Sequence, residues 1–246
     1  MKYMLYFLVP VLGLISCRKS EDRSCMKTTG NEDTLELAMP FFDRLVLHEQ
    51  LQYELIQDST NKVVVIGGKN LLNYVDAIVT DSVLDISNAN KCNFLRTMKR
   101  KVKVEIHFTR IGNIEYMGTE FLKNKGKLKL DYFTFLIKDG AGPVELNFDA
   151  EFLLAVITHG WGDFTFTGSV KSANMTIRSN GFCDTYGLSV QDSMTVISRT
   201  QGDVKINVNG AKLKAQTEQD GNILYKGIPS SVLFNQYGNG ELIDAN

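Results

Sequence analysis

The chain has 246 residues, 43% of them apolar, and its 27 Lys and Arg nearly cancel 28 Asp and Glu to leave a net charge of −1. That length supports a single core of ordinary size. The absence of a recognised nucleic-acid module and of an aromatic–basic interleave argues against a nucleic-acid binder. His48, His107 and His159 are isolated from one another, no Cys-x-x-Cys pair occurs, and no cluster has metal-ligand spacing, so no cofactor is implied.

Residues 1–16 read as a lipoprotein signal peptide. Lys2 supplies the positive start, and Met4 to Ile15 is an apolar run broken by Pro10 and Gly13. The run is too short to span a bilayer and fits a secretory h-region. It ends Leu14-Ile15-Ser16-Cys17, which resembles the bacterial lipobox. There a small residue precedes the Cys whose thiol accepts the lipid, so Cys17 is the expected lipidation site and the membrane an expected partner through that lipid. Several acyl chains on one Cys anchor durably where one is marginal. Cleavage before Cys17 removes Lys2 and brings the net charge to −2.

Residues 17–38 form a tether, charged at Arg18-Lys19-Ser20-Glu21-Asp22-Arg23 and poor in apolar residues thereafter. Charge directly after the lipidated Cys resembles the signal that sends Bacteroidota lipoproteins to the outer face of the outer membrane, which sets the expected location.

Residues 39–246 read as one domain. In 39–110, Leu45–Leu47, Tyr53–Ile56, Lys62–Ile66, Val83–Ile86 and Val102–Phe108 are candidate strands, and Leu71–Val75 is a candidate helical turn. This region is expected to cap the repeats after it, because a stack of repeats must hide its apolar end. Residues 111–246 repeat every 19 or 20 positions. One column reads Ile137, Ile157, Ile177, Ile197. Another reads Gly142, Gly162, Phe182, Gly202, Gly221, Gly240, and two places on lie Val144, Phe164, Asp184, Val204, Ile223, Leu242. The text around them alternates, as in Gly202-Asp203-Val204-Lys205-Ile206-Asn207-Val208, and is rich in β-branched and aromatic residues. A regular period of this length means stacked units, and about 20 residues suits one coil of a β-solenoid with coils ~4.8 Å apart. A tandem of antiparallel hairpins is the competing reading. The Gly column is expected where corners need φ > 0.

The order of Phe41-Phe42-Asp43, Tyr53–Asp58, Lys62–Gly67, Asn70–Val75, the Gly-rich repeats and the closing Gly221-Asn222-Ile223-Leu224-Tyr225-Lys226-Gly227-Ile228-Pro229 resembles the auto-transporter adhesin head GIN domain of Bacteroidota envelope proteins. The resemblance runs from about Phe41 to Leu242. It implies a right-handed parallel β-helix and a surface, adhesin-like role, and it brings no catalytic residues. Where many members have Gly-Ser-Gly, this chain has Asn180-Gly181-Phe182, so a bulged corner is expected there.

Candidate binding residues come from charge and aromaticity. From Arg96 to Lys129 ten basic residues face three acidic ones, a local +7, and from Leu130 onward eight basic face thirteen acidic, a local −5. Lys123, Lys125, Lys127 and Lys129 alternate, which puts them on one face of a strand. They read as a contact for an anionic glycan or a protein partner, or as Lys blunting a strand edge. Trp161 is a candidate for stacking on a sugar, whereas Phe164 and Phe166 are in phase with the core. The residues after the Gly column, Pro143, Asp163, Cys183, Asp203, Asn222 and Glu241, could line an edge, where the acidic ones could hold calcium as in β-helix polysaccharide lyases, or be ordinary turn residues. Cys25, Cys92 and Cys183 are odd in number, so at least one lacks an intrachain partner. A non-catalytic surface binding module, a carbohydrate-active β-helix enzyme and a purely structural envelope protein all fit this text.

Overall fold

The computed structural model describes residues 28–90, 101–178 and 180–246. The signal peptide, Cys17, most of the tether, Cys25 and Cys92 lie outside them. The rest is a β-solenoid of about 7 turns with about 20 residues per turn and 62% strand. Its strands are β1 (Glu32–Ala38), β2 (Arg44–Leu47), β3 (Gln52–Gln57), β4 (Lys62–Gly68), β5 (Val75–Thr80), β6 (Val83–Asn88), β7 (Lys103–Phe108), β8 (Asn113–Tyr116) and β9 (Leu122–Lys125). They continue as β10 (Leu128–Ile137), β11 (Val144–Ile157), β12 (Phe164–Ile177), β13 (Cys183–Ser198), β14 (Val204–Asn207), β15 (Lys212–Thr217), β16 (Ile223–Lys226), β17 (Ser231–Gln236) and β18 (Leu242–Asp244). One short helix, α1 (Lys69–Leu72), comes directly after β4.

The coils stack into two long walls of parallel strands. One wall runs β6, β2, β8, then the second halves of β10 to β13, then β15 and β17. The other runs β7, β3, β9, then the first halves of β11 to β13, then β14, β16 and β18. The hairpin alternative is therefore wrong for the repeats, where every pairing is parallel.

Alternate side chains enter the space between the walls. Phe133, Phe135, Phe148, Phe164 and Phe166 are buried there and meet edge to face, with ring centroids 5.1 Å apart for Phe133–Phe148 and 5.3 Å for Phe135–Phe166 and Phe148–Phe166. Rings at successive coils can pack this way because the coil spacing is close to the preferred centroid separation. Tyr53, also buried in the core, donates its hydroxyl to the carbonyls of His48 (2.9 Å) and Ile86 (3.2 Å), which removes the cost of hiding a phenol. Burial pushes its pKa well up.

The chain does not enter the stack at its end. β2 and β3 form a coil that is then flanked on one side by β6 and β7 and on the other by β8 and β9. Of the stretch expected to act as a cap, β2, β3, β6 and β7 are coil strands. The cover is made by β4, antiparallel to β7, by β1, antiparallel to β4, and by β5, antiparallel to β6.

The columns read from the period need two corrections. Ile137, Ile157 and Ile177 do lie opposite one another, but Ser198 is next in that column, and Ile197 turns outward opposite Thr176. Likewise the partner of Phe164 is the buried Cys183, not Asp184, and Gly202 packs over Gly181, not Phe182. The turn before β13 is one residue short, and two register shifts along β13, between Thr165 and Thr167 and between Val170 and Ser172, then add residues. So the irregularity expected at Asn180-Gly181-Phe182 is a shortened corner, with the extra residues placed in the next strand.

The reason for the Gly column also differs. Gly142, Gly162, Gly202, Gly221 and Gly240 have no left-handed φ. At Gly142, Gly221 and Gly240 the reason is close approach of the coils: a Cβ would overlap the carbonyl of Glu120, Gly202 and Gly221 respectively, whereas Gly202 itself has room for one.

Candidate functional site

The corner that carries the Gly column leads from the first wall into the second. Its backbone is fixed from coil to coil by main-chain bonds: Trp161 N–H donates to the Gly140 carbonyl (3.1 Å), Phe164 N–H to the Phe182 carbonyl (3.0 Å) and Val204 N–H to the Asn222 carbonyl (2.8 Å). The acidic and amide residues of the corner brace it further. Asp163 Oδ1 accepts the Phe182 N–H (2.7 Å), Asp203 Oδ1 the Asn222 N–H (3.0 Å), and Asn222 Oδ1 the Glu241 N–H (2.9 Å). Each side chain thus ties one coil to the next, which is turn chemistry. Calcium would need several free oxygens converging, and among the described residues no group of His, Cys, Asp or Glu has that arrangement.

Trp161 stands on this corner, 66% exposed, with exposed Ala141 and Asn180 before and after it in the stack. Sequence reasoning missed its neighbours. Phe182, assigned there to the Gly column, is 66% exposed and occupies the place that Asp163 holds one coil earlier. Pro143 holds the same place one coil before Asp163, and Phe121 one coil before that, since Leu122, Val144, Phe164 and Cys183 pair in turn. The rings of Phe121, Trp161 and Phe182 stack on no other ring among the described residues. The available signal was the shortened spacing to Cys183, whose apolar character fits the inward column better than Asp184 does.

The lysines lie beside the lower end of that stripe. Lys123 and Lys125 are on β9, Lys127 is in the turn at Gly126 (φ +72°), and Lys129 is on β10, all exposed on the outer side of the second wall. They are not alike. Lys123 Nζ is 3.3 Å from Glu54, which also binds Lys103 at 2.5 Å, and Lys103 reaches Glu105 at 2.9 Å. Burial opposes charge on Glu54, but Lys103 and Lys123 outweigh it and hold its carboxyl below the usual range. Lys127 pairs with Asp149 (3.0 Å), while Lys125 and Lys129 make no ion pair among the described residues. A groove of about 450 Å³ opens here, lined by Gln52, Tyr53, Lys103, Phe121, Lys123 and Glu145. Lys123 and Glu145 are paired neighbours across β9 and β11. The structure therefore places Lys123 and Trp161 on one side of the solenoid, joined through Phe121 and Pro143.

Cys183 is fully buried, and that burial pushes its thiol well above the usual range, so it is a core residue. No described helix is long and apolar enough to cross a membrane.

A family model described as "Putative auto-transporter adhesin, head GIN domain" matches residues 41–229. The chain belongs to this family. The matched region ends at Pro229, the close of the Gly221–Pro229 stretch, so the last coil lies beyond it, whereas the sequence resemblance extends to about Leu242. The chain is also similar in fold to a putative adhesin from Bacteroides fragilis, with TM-score 0.75 and 19% identity over 86% of this chain and 96% of that one. It resembles a putative adhesin from Parabacteroides merdae, with TM-score 0.60 and 16% identity over 89% and 99%. A third such structure is described as a putative lipid binding protein from Parabacteroides distasonis, with TM-score 0.57 and 14% identity over 87% and 98%. No curated protein matches the chain. GIN-domain membership makes this an adhesin-like protein of the cell surface or envelope.

Proposed function

We propose that this GIN-domain protein is a lipid-anchored, non-catalytic binding module of the outer membrane. It is held by Cys17 and presents the flank of its solenoid to a glycan or protein ligand. The observation that carries this reading is the pair of bare rings, Trp161 and Phe182, each 66% exposed on a corner whose backbone is braced from coil to coil. The solenoid gains nothing in its own core from rings so placed, and grouped exposed aromatics mark contact sites. The non-catalytic part is supported by the acids of that corner, Asp163 and Asp203, being engaged by backbone amides rather than left to work on protons. The anchor is supported by Leu14-Ile15-Ser16-Cys17 and the charged tether after it.

Two measurements on cells test the reading. Cys17→Ala is expected to release the protein from the membrane fraction, and a variant that stays membrane-bound removes the lipid anchor from the account. Protease added to intact cells is expected to digest the solenoid. Protection until the outer membrane is broken would put the domain in the periplasm and end the adhesin-like reading.

A further inference from the structure

The outward-facing rings, with Trp161 and Phe182 exposed and Phe121 half-buried, track the stack axis rather than forming a random patch. Phe121, Pro143, Trp161 and Phe182 fall on successive coils, so each ring is one coil spacing, ~4.8 Å, further along the axis than the last. Three of them share one column, and Trp161 is displaced two positions along its turn. The side chains around them are polar and exposed: Asp139, His159, Asn180 and Gln201 on the same corners, with Lys123 and Glu145 beside Phe121. Beyond Phe182 the column turns polar, with Asp203, Asn222 and Glu241, so the stripe is bounded.

We infer that this corner is a binding site for a linear, β-linked oligosaccharide of gluco-configured rings, lying along the solenoid axis from the groove at Phe121 to Phe182. The inference rests on the binding-module reading and names its ligand class. The chemistry is specific. A β-linked gluco ring carries its hydroxyls equatorially and shows C–H bonds on both faces, so it stacks flat on an aromatic ring while hydroxyls point sideways to polar groups. A chain of such rings advances by about one sugar length per unit, close to one coil spacing. The groove of about 450 Å³ is large enough to hold a terminal unit. It offers Gln52, Lys103, Lys123 and Glu145 as hydroxyl partners. The rigid corner means that little ordering entropy is lost on binding.

Trp161 is the single tryptophan of the chain, so intrinsic fluorescence reads this site alone. The experiment titrates the purified mature protein carrying Cys17→Ala with cellohexaose and chitohexaose, tracking emission and acrylamide quenching, with calorimetry alongside. The expected result is a saturable blue shift with reduced quenching by at least one of the two sugars. Phe182→Ala is expected to weaken that binding by about three- to tenfold, and Trp161→Ala, read by calorimetry, by about tenfold. Both side chains are exposed, so neither variant threatens folding, and unchanged melting temperatures check this. Unchanged emission and quenching with both sugars overturns the inference, as does binding that Phe182→Ala leaves intact, or a response to a polyproline peptide with none to sugars. Because the measurement uses purified protein, it stands apart from the cell-surface test: a surface-exposed protein with a silent Trp161 loses this site and keeps the binding-module reading.

Discussion

The two ends of the solenoid solve the same problem differently. At the end bounded by β6 and β7, β1 covers β4, β4 covers β7 and β5 covers β6, all antiparallel. Of the two strands left at the edge, β1 carries Glu32, Asp33 and Glu36 and β5 carries Asp76, and charge on an edge discourages further pairing. Ion pairs knit this end together, among them Lys62–Glu36 (3.2 Å), Lys103–Glu54 and His107–Asp58 (2.6 Å). At the other end, β17 and β18 each pair on one side only among the described residues. β17 reads Ser-Val-Leu-Phe-Asn-Gln without a charge, and Val232 and Leu233 are 49% and 55% exposed. The core changes in step. Phenylalanines fill it from β10 to β12, while Ser198, Thr200, Ala215 and Thr217 occupy buried positions of later coils. Parallel strands alone leave each terminal coil with an open edge and a bare apolar end. At the covered end the antiparallel returns take up the pairing of β6 and β7 and move the free edge onto β1 and β5.

Breaking the aromatic half of the core should have the largest effect. Phe166 is fully buried and meets Phe135, Phe148 and Phe164. Phe166→Ala is expected to cost about 3–5 kcal/mol in chemical denaturation. An effect below about 1 kcal/mol would mean that the ring cluster does not hold the stack. The small, polar half should respond the opposite way. Ser198 places a buried hydroxyl with no hydrogen-bond partner among the described residues in the column that Ile177 precedes. Ser198→Ala is expected to stabilise by roughly 1 kcal/mol, because an unpaired buried hydroxyl costs about that much. Destabilisation would show that the hydroxyl has a partner in solution.

The ion pairs of the covered end predict an acid response. The His107 ring beside Asp58 draws its carboxyl from the ordinary 3.8 down to about 2. A folded value below the unfolded one stabilises at pH values above the unfolded pKa, and that contribution is lost as pH falls through about 2. The pair is solvated, so Asp58→Asn should cost only about 0.5 kcal/mol near neutral pH and nothing at the acid limit. A cost that does not change with pH would assign the effect to packing. The smallest expected effect is at the uncovered end. Leu233→Lys should change stability by under about 0.5 kcal/mol while lowering any concentration-dependent self-association seen by sedimentation, since Lys on an edge blocks pairing. A large loss of stability would show that Leu233 is packed rather than exposed.

Much of the repeat region was legible because the chemistry of one coil recurs. Ile137, Ile157 and Ile177 lie in one buried column, and the strand alternation from Val144 to Ile157 is what a wall requires. The reading failed at Phe182 and Ile197, where a fixed period was carried across a corner one residue short. A period counts residues, and the backbone can drop one in a turn and add two in the next strand without changing the count by much. That slip hid half of the candidate site, because Phe182 was read as a spacer. The lysines were legible as exposed, but not as one face of one strand: β9 ends at Lys125, and the turn at Gly126 puts Lys127 off the strand and Lys129 on β10. Glu54, 69 residues before Lys123, and Asp149, 22 residues after Lys127, decide which of them are paired.

By itself the sequence determined the solenoid, its period, its family and the exposed Trp161, because these depend on local alternation and on spacing within one coil. Tertiary structure alone decided that β2 and β3 lie inside the stack rather than at its end, since parallel pairing carries no mark of which coil comes next. It also decided why the corner glycines are glycine. Their φ angles are ordinary, and what excludes a side chain at Gly142, Gly221 and Gly240 is a carbonyl of the neighbouring coil, 19 or more residues away. Steps of 22, 18 and 21 residues separate Phe121, Pro143, Trp161 and Phe182, which become neighbours only when the coils stack.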